Sequence, residues 1–160
     1  MKYVGAVLLI LGALAVCKLY TAYMNVRLKE HTEYLRLLKH LRNKISCYLV
    51  PIEEAVLGFS SECLAQNSFF SSLKAGADAK EAYQRARENS LLSLEADRLL
   101  TELFSDFGAG YFDTEIKKMD FAIEKLSAIC EEERLESQKK IKLVGTLIFA
   151  SVFGFIILIF

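Results

Sequence analysis

Charged and apolar positions are unevenly spread along this chain. No charged side chain falls in residues 3–17, and none in residues 143–160. All the acidic residues and nearly all the basic ones lie between. Two uncharged ends around a charged middle predict a polar domain held at a membrane by both ends. Residues 143–160 are apolar apart from Gly145, Thr146, Ser151 and Gly154. As a helix they span about 27 Å, close to the hydrocarbon thickness of a bilayer. The chain is then expected to finish at the far interface.

The first apolar run is shorter. It crosses a bilayer only if Lys18 snorkels and residues 19–24 continue the helix at the interface. Met1-Lys2 before an apolar run also fits a cleaved signal peptide, and Leu14-Ala15-Val16 ahead of Cys17 has features of a lipoprotein signal. However, Val16 stands where peptidase chemistry wants a small residue, and no turn or proline follows the run. The expectation is an uncleaved anchor. The inner flanks carry Lys18, Arg27, Lys29, Arg36, Arg134, Lys139, Lys140 and Lys142, whereas the outer flanks carry Lys2. This asymmetry predicts a two-pass protein with a cytoplasmic middle and both termini across the membrane.

The middle reads as helix throughout. Residues 25–49 carry two adjacent stripes, Leu28, Leu35, Leu38, Ile45 and Leu49 beside Tyr34, Leu37, Leu41 and Tyr48. Such a wide face suits a helix with more than one neighbour. Pro51 ends that helix and suits the first turn of the next. Ile52, Ala55, Val56, Phe59 and Cys63 share the next face, and Phe69, Phe70 and Leu73 form a short element before Gly76. Asp78 and Glu81 have the spacing of a capping box, opening a helix with Ala79, Ala82, Tyr83 and Ala86 inward. A further helix runs through Leu92, Ala96, Leu99, Leu103 and Phe107 to Gly108-Ala109-Gly110. Asp113 is expected to cap the last helix, whose seam is Ile116, Met119, Ile123, Leu126 and Cys130. No breaker separates that seam from the terminal apolar run, so one helix is expected over residues 114–160.

The fold class is therefore all-α: a cytoplasmic helical bundle flanked by an N-terminal and a C-terminal transmembrane helix. The expected division is residues 1–24, 25–138 and 139–160. The chain has 160 residues, one proline and no tryptophan, which suits one helical domain plus two spans. Twenty basic residues balance twenty acidic ones, which argues against nucleic acid as a partner. Cys17, Cys47, Cys63 and Cys130 form no CxxC pair and sit among apolar neighbours, so they read as reduced, buried thiols.

Enzyme chemistry finds little support. Walker A, GxGxxG and GxSxG patterns are absent. His31 and His40 are flanked by charged residues and read as histidines of a solvated face. Glu53-Glu54 follow Pro51 in a first helical turn, where they complement the helix dipole. A hydrolase built on Glu53, Glu54 or Asp113 lacks an appropriately placed His or Lys. The run Glu131, Glu132, Glu133 reads as a solvated face or an electrostatic docking site, and Gly108 and Gly110 as a helix-terminating turn. No catalytic residue, metal ligand or cofactor is expected.

Three stretches together carry a resemblance. They are Met1-Lys2 with Gly5-Ala6, then Leu35-Arg36-Leu37-Leu38 through Ile45, Tyr48 and Pro51-Ile52-Glu53-Glu54-Ala55, then Glu81-Ala82-Tyr83, Asp97, Gly108, Gly110 and Asp113 with the charged helix and glycine-bearing terminal segment. In order and spacing this resembles the stage III sporulation protein AB family of endospore-forming bacteria. Tyr83 stands where the family pattern has Trp, and Lys117 where it has Gln. The family in turn resembles the cytoplasmic helical domain of the F-type platform proteins of type II secretion and type IV pilus machines. The resemblance implies a non-enzymatic membrane subunit, on the mother-cell side, of a complex between mother cell and forespore. It also implies as partners a cytoplasmic secretion-type ATPase (stage III sporulation protein AA-like), other membrane subunits and the lipid bilayer, with homo-oligomers open. The surfaces expected to meet the ATPase are Glu53, Glu54, Gly108, Gly110 and Asp113 at two turns, and Glu131, Glu132 and Glu133. The alternative is a generic membrane-anchored scaffold or signalling protein unrelated to sporulation.

Overall fold

In a computed structural model, described for residues 2–48, 52–66, 68–107 and 111–159, two long helices enclose five short ones. Helix α1 spans Lys2–Tyr48, followed by α2 (Ile52–Leu57), α3 (Glu62–Gln66), α4 (Phe69–Lys74), α5 (Ala79–Arg87), α6 (Leu94–Ser105) and α7 (Phe112–Ile159). No strand occurs among the described residues. The chain divides into two compact units, Met1–Val26 with Glu132–Phe160, and Arg27–Glu131. The expected helix ends at Leu49, Pro51 and Gly108 to Gly110 fall outside the described residues, as does the side chain of Cys47.

The Arg27–Glu131 unit is built on α1. Tyr34, Leu37, Leu38, Leu41 and Ile45 are buried on it, and the spacing of three and four that places them on one face also fixes what they meet. Phe69 of α4 and Tyr83 of α5 meet Tyr34 edge-on, and Phe104 of α6 packs on both of them, stacked on Tyr83 at 5.2 Å. Met119, Ala122, Leu126 and Ile129 of α7 close the core. The α7 stripe is therefore rotated from the expected one: Ile116, Ile123 and Cys130 are only half-buried, and Ala122 and Ile129 are inside. On α6, likewise, Leu100 and Phe104 are buried, while Leu99 and Phe107 flank the core.

Local chemistry explains most of the breaks. Gly76 adopts φ +85, a left-handed conformation that only glycine reaches without strain. Its N–H donates to the Leu73 carbonyl and that of Ala77 to Ser72, the paired bonds of a Schellman ending. Asp78 caps α5, accepting the Ala79 N–H at 2.7 Å, but Glu81 pairs with Arg85 at 3.6 Å and closes no capping box. The expected continuous face from Ile52 to Cys63 is instead split, because α2 stops at Leu57 and α3 begins at Glu62. Asp113 is not a cap: α7 starts at Phe112, and the Tyr111 carbonyl accepts the N–H groups of Thr114 and Glu115.

The order of helices in this unit follows from two contacts and one short connection. His31 lies against Ser93 at the start of α6, placing that start beside the beginning of α1's buried stripe. A connection of six residues joins the end of α6 to the start of α7. Arg42 of α1 then meets Asp120 of α7 with two bonds of 2.9 and 3.3 Å. Helix α6 thus runs parallel to α1, and α7 runs antiparallel to both.

In the other unit, the first half of α1 lies antiparallel to the last part of α7. Ser137 approaches Met24 (Oγ–Sδ 3.9 Å), and Gly5, Leu8, Leu9, Gly12, Ala13 and Val16 face the stretch from Leu147 to Phe155. Many side chains here are exposed, including Val7, Leu11 and Leu19 on α1 and Leu143, Phe153 and Ile157 on α7. Helix α1 is long and apolar enough to cross a membrane.

Candidate functional site

Of the predicted partner-facing residues, Asp113 and Glu54 fall at one end of the Arg27–Glu131 unit. Arg42 opposite Asp120 brings the end of α1 and the start of α7 to the same end of the Arg27–Glu131 unit. Asp113 is exposed there in the first turn of α7, and Glu54 is exposed on α2, which starts four residues after α1 ends. Glu131 lies on α7 about 27 Å of helix away from Asp113. Glu131 and Glu132 are exposed and Glu133 is half-buried. Gly108, Gly110 and the side chain of Glu53 lie outside the described residues.

At the opposite end of the unit, α1 holds the turn between α5 and α6. Glu30, only 5% exposed, accepts Ser90 Oγ and the Leu91 N–H, each at 2.8 Å. His31 is fully buried, not on a solvated face as its charged neighbours led one to expect. Its Nδ1 lies 2.8 Å from the Arg27 carbonyl, which can only accept, so Nδ1 carries the proton. Nε2 is then free to accept the Ser93 N–H at 3.0 Å. Ser93 in turn caps α6 by accepting the Ala96 N–H. His40 is half-buried, with Nε2 3.2 Å from the Ala55 carbonyl and its ring against Phe59. Both histidines are thus structural pins between α1 and later helices.

A second buried polar group ties α5 to α6. Asp97, 8% exposed, accepts the Tyr83 hydroxyl at 3.1 Å and meets Arg87 at 2.7 Å. Burial, with Tyr34 and the Asp97 charge beside it, drives the Tyr83 hydroxyl well above its ordinary value, so it remains a donor. Burial also raises the Glu33 carboxyl, but hydrogen bonds from Ser61 and Arg36 and the charges of Arg36 and Lys29 outweigh it and hold the group below 4.5. Burial, reinforced by Glu30, raises the Cys63 thiol, which disfavours the reactive thiolate. Cys17, Cys63 and Cys130 are half-buried, less enclosed than expected.

These groups organise helices rather than present chemistry to a substrate. Among the described residues, no three His, Cys, Asp or Glu side chains are grouped to hold a metal ion. Outward-facing apolar groups are the other notable surface: Tyr111 is 89% exposed and Phe121 57%. Sequence periodicity offered no signal for Phe121, because it lies between two positions of the expected seam.

The whole-chain pattern of an apolar first helix, a polar helical unit and a last helix 48 residues long is matched by one family model. That model, stage III sporulation protein AB, covers residues 2–160. The chain belongs to the stage III sporulation protein AB family. It is accordingly a sporulation-related protein, which sets aside the alternative of a scaffold unrelated to sporulation. No curated protein and no solved structure matches this sequence.

Proposed function

We propose that the protein is a non-enzymatic platform subunit of a secretion-like membrane complex between mother cell and forespore. It couples a cytoplasmic secretion-type ATPase, similar to stage III sporulation protein AA, to the membrane assembly. The observation that carries this reading is the continuity of α1 and α7. Each begins or ends inside a folded polar unit and continues without a break into an apolar stretch. A continuous helix, rather than a separate linker segment, joins each apolar stretch to the polar unit.

In this reading both apolar stretches cross the membrane, the polar unit is cytoplasmic, and both termini are extracytoplasmic. The outward-pointing leucines and phenylalanines of 1–26 and 132–160 meet lipid, where their exposure carries no cost. The sequence carries no nucleotide-binding pattern, so the energy comes from the partner. Acidic groups at Glu54, Asp113 and Glu131 to Glu133 provide salt-sensitive contacts to it.

The test is capture of a purified ATPase of this type by the full-length protein in lipid nanodiscs. Capture should weaken with salt, and reversing Glu131, Glu132 and Glu133 to Lys should weaken it further with helicity unchanged. Failure of the wild-type protein to capture the ATPase at low salt overturns the coupling role.

A further inference from the structure

We infer that Lys18 of α1 and Lys139 and Lys142 of α7 form a collar that binds anionic phospholipid headgroups. The inference rests on the reading that both apolar stretches cross the membrane, and it is independent of the ATPase. All three residues belong to one unit, Met1–Val26 with Glu132–Phe160. Antiparallel packing brings them to one level. Ser137 Oγ lies 3.9 Å from Met24 Sδ, so these two residues stand opposite each other. Six positions back along α1 is Lys18, and six positions forward along α7 is Leu143, next to Lys142. Equal rise per residue keeps the two at the same height. The groove farther along, lined between residues 5–16 on α1 and 147–155 on α7, keeps that register.

This level is where charge stops. Residues 3–17 and 143–160 hold no charged side chain, so Lys18 and Lys142 are the last charged groups before each apolar stretch. From Lys139 to Lys142 the helix rises about 5 Å, which fits the headgroup layer of about 5–7 Å on each side of the hydrocarbon. Tyr23, 48% exposed, and the half-buried Tyr20 lie in the same band on α1, where aromatic rings favour the interface.

The band is basic on balance. Residues 1–29 and 137–160 contain no Asp or Glu. The last acidic residue of α7, Glu136, meets Lys140 at 2.5 Å, and Lys18, Lys139 and Lys142 remain exposed. A neutral phospholipid satisfies the apolar stretches as well as a charged one, so those stretches select no headgroup. Three ammonium groups within the headgroup layer do select. Each is attracted to an anionic phosphodiester, whereas a zwitterionic lipid offsets that attraction with its own cation. Lysine acts here as a point charge, so the collar reads the net charge of the headgroup rather than its detailed shape.

Three full-length proteins in phosphatidylcholine nanodiscs test this. They are wild type, the collar variant Lys18→Gln, Lys139→Gln and Lys142→Gln, and a control with Lys39→Gln, Lys117→Gln and Lys125→Gln. The control residues are exposed and lie at least 14 positions from the collar along the same helices. Circular dichroism verifies that each protein is folded. Traces of spin-labelled phosphatidylglycerol or phosphatidylcholine then report, by electron spin resonance, how strongly each lipid is held against the protein. Wild type should hold phosphatidylglycerol on the order of threefold more strongly than phosphatidylcholine, and about 1 M salt should remove the preference. The collar variant should hold the two lipids alike, and the control should match wild type. If wild type holds both lipids equally, or the collar variant keeps the preference, the collar does not bind headgroups, and the two-pass reading stands. If wild type holds neither lipid, the two-pass reading fails and the collar fails with it.

Discussion

Glu30 and Leu91 stand 61 positions apart in the chain, yet the Glu30 carboxylate accepts the Leu91 N–H at 2.8 Å. With His31 holding Ser93, this bond fixes where α6 begins and hence how α6 and α7 line up against α1. Glu30→Ala leaves the Leu91 N–H and Ser90 hydroxyl without their acceptor, at a cost of about 2–3 kcal/mol. Glu30→Gln retains one acceptor oxygen and should cost less. Thermal melts of the full-length protein in detergent measure both. An alanine variant that melts with the parent would show that the turn is held by other contacts.

Burial on α7 distinguishes two residues that look equivalent by spacing. Leu126 is fully buried, whereas Ile123 is only partly so. Leu126→Asp should destabilise by about 4 kcal/mol or more, through an unpaired buried charge. Ile123→Asp, able to turn its carboxylate to water, should cost less than about 2 kcal/mol. Equal losses would place Ile123 in the core.

Glu33 predicts an acid limb in stability. Its carboxyl is held below 4.5 in the folded protein, so folding favours the charged form. That contribution is fully present above the ordinary value and is lost as pH falls through the folded one. Melting temperature should therefore drop between about pH 6 and about pH 3, and less steeply in Glu33→Gln. Parallel pH profiles for the two proteins would remove Glu33 as the source.

How much of this was legible depended on the range of the interaction that decides each element. The ending of α4 is a local matter of Gly76, and the inward face of α5 follows from Ala82, Tyr83 and Ala86; both were readable. The face of α7 was readable only to within one residue, because its apolar stripe is wide and the choice of Ala122 over Ile123 is made by α6. His31 was misread because charged neighbours suggested exposure, whereas Glu30 is itself buried against Ser90 and Leu91 and the partner of His31, Ser93, is 62 positions away.

Topology makes a separate prediction. Eight basic residues flank the apolar stretches on the proposed inner side and Lys2 the outer, and this asymmetry predicts a cytoplasmic polar unit. A reporter joined after Phe160 should score as extracytoplasmic, and one inserted at Gly76, an exposed turn, as cytoplasmic. The reverse pattern, or a mature protein beginning at or after Cys17, would contradict the two-pass arrangement.

Coupling itself is tested most directly by ATP hydrolysis in a reconstituted system. The full-length protein in nanodiscs, the purified secretion-type ATPase, and the two together are assayed side by side. The account predicts no hydrolysis by the membrane protein alone and a hydrolysis rate of the ATPase that changes when the membrane protein is added. Hydrolysis by the membrane protein alone, or an ATPase rate indifferent to its presence, would contradict the account.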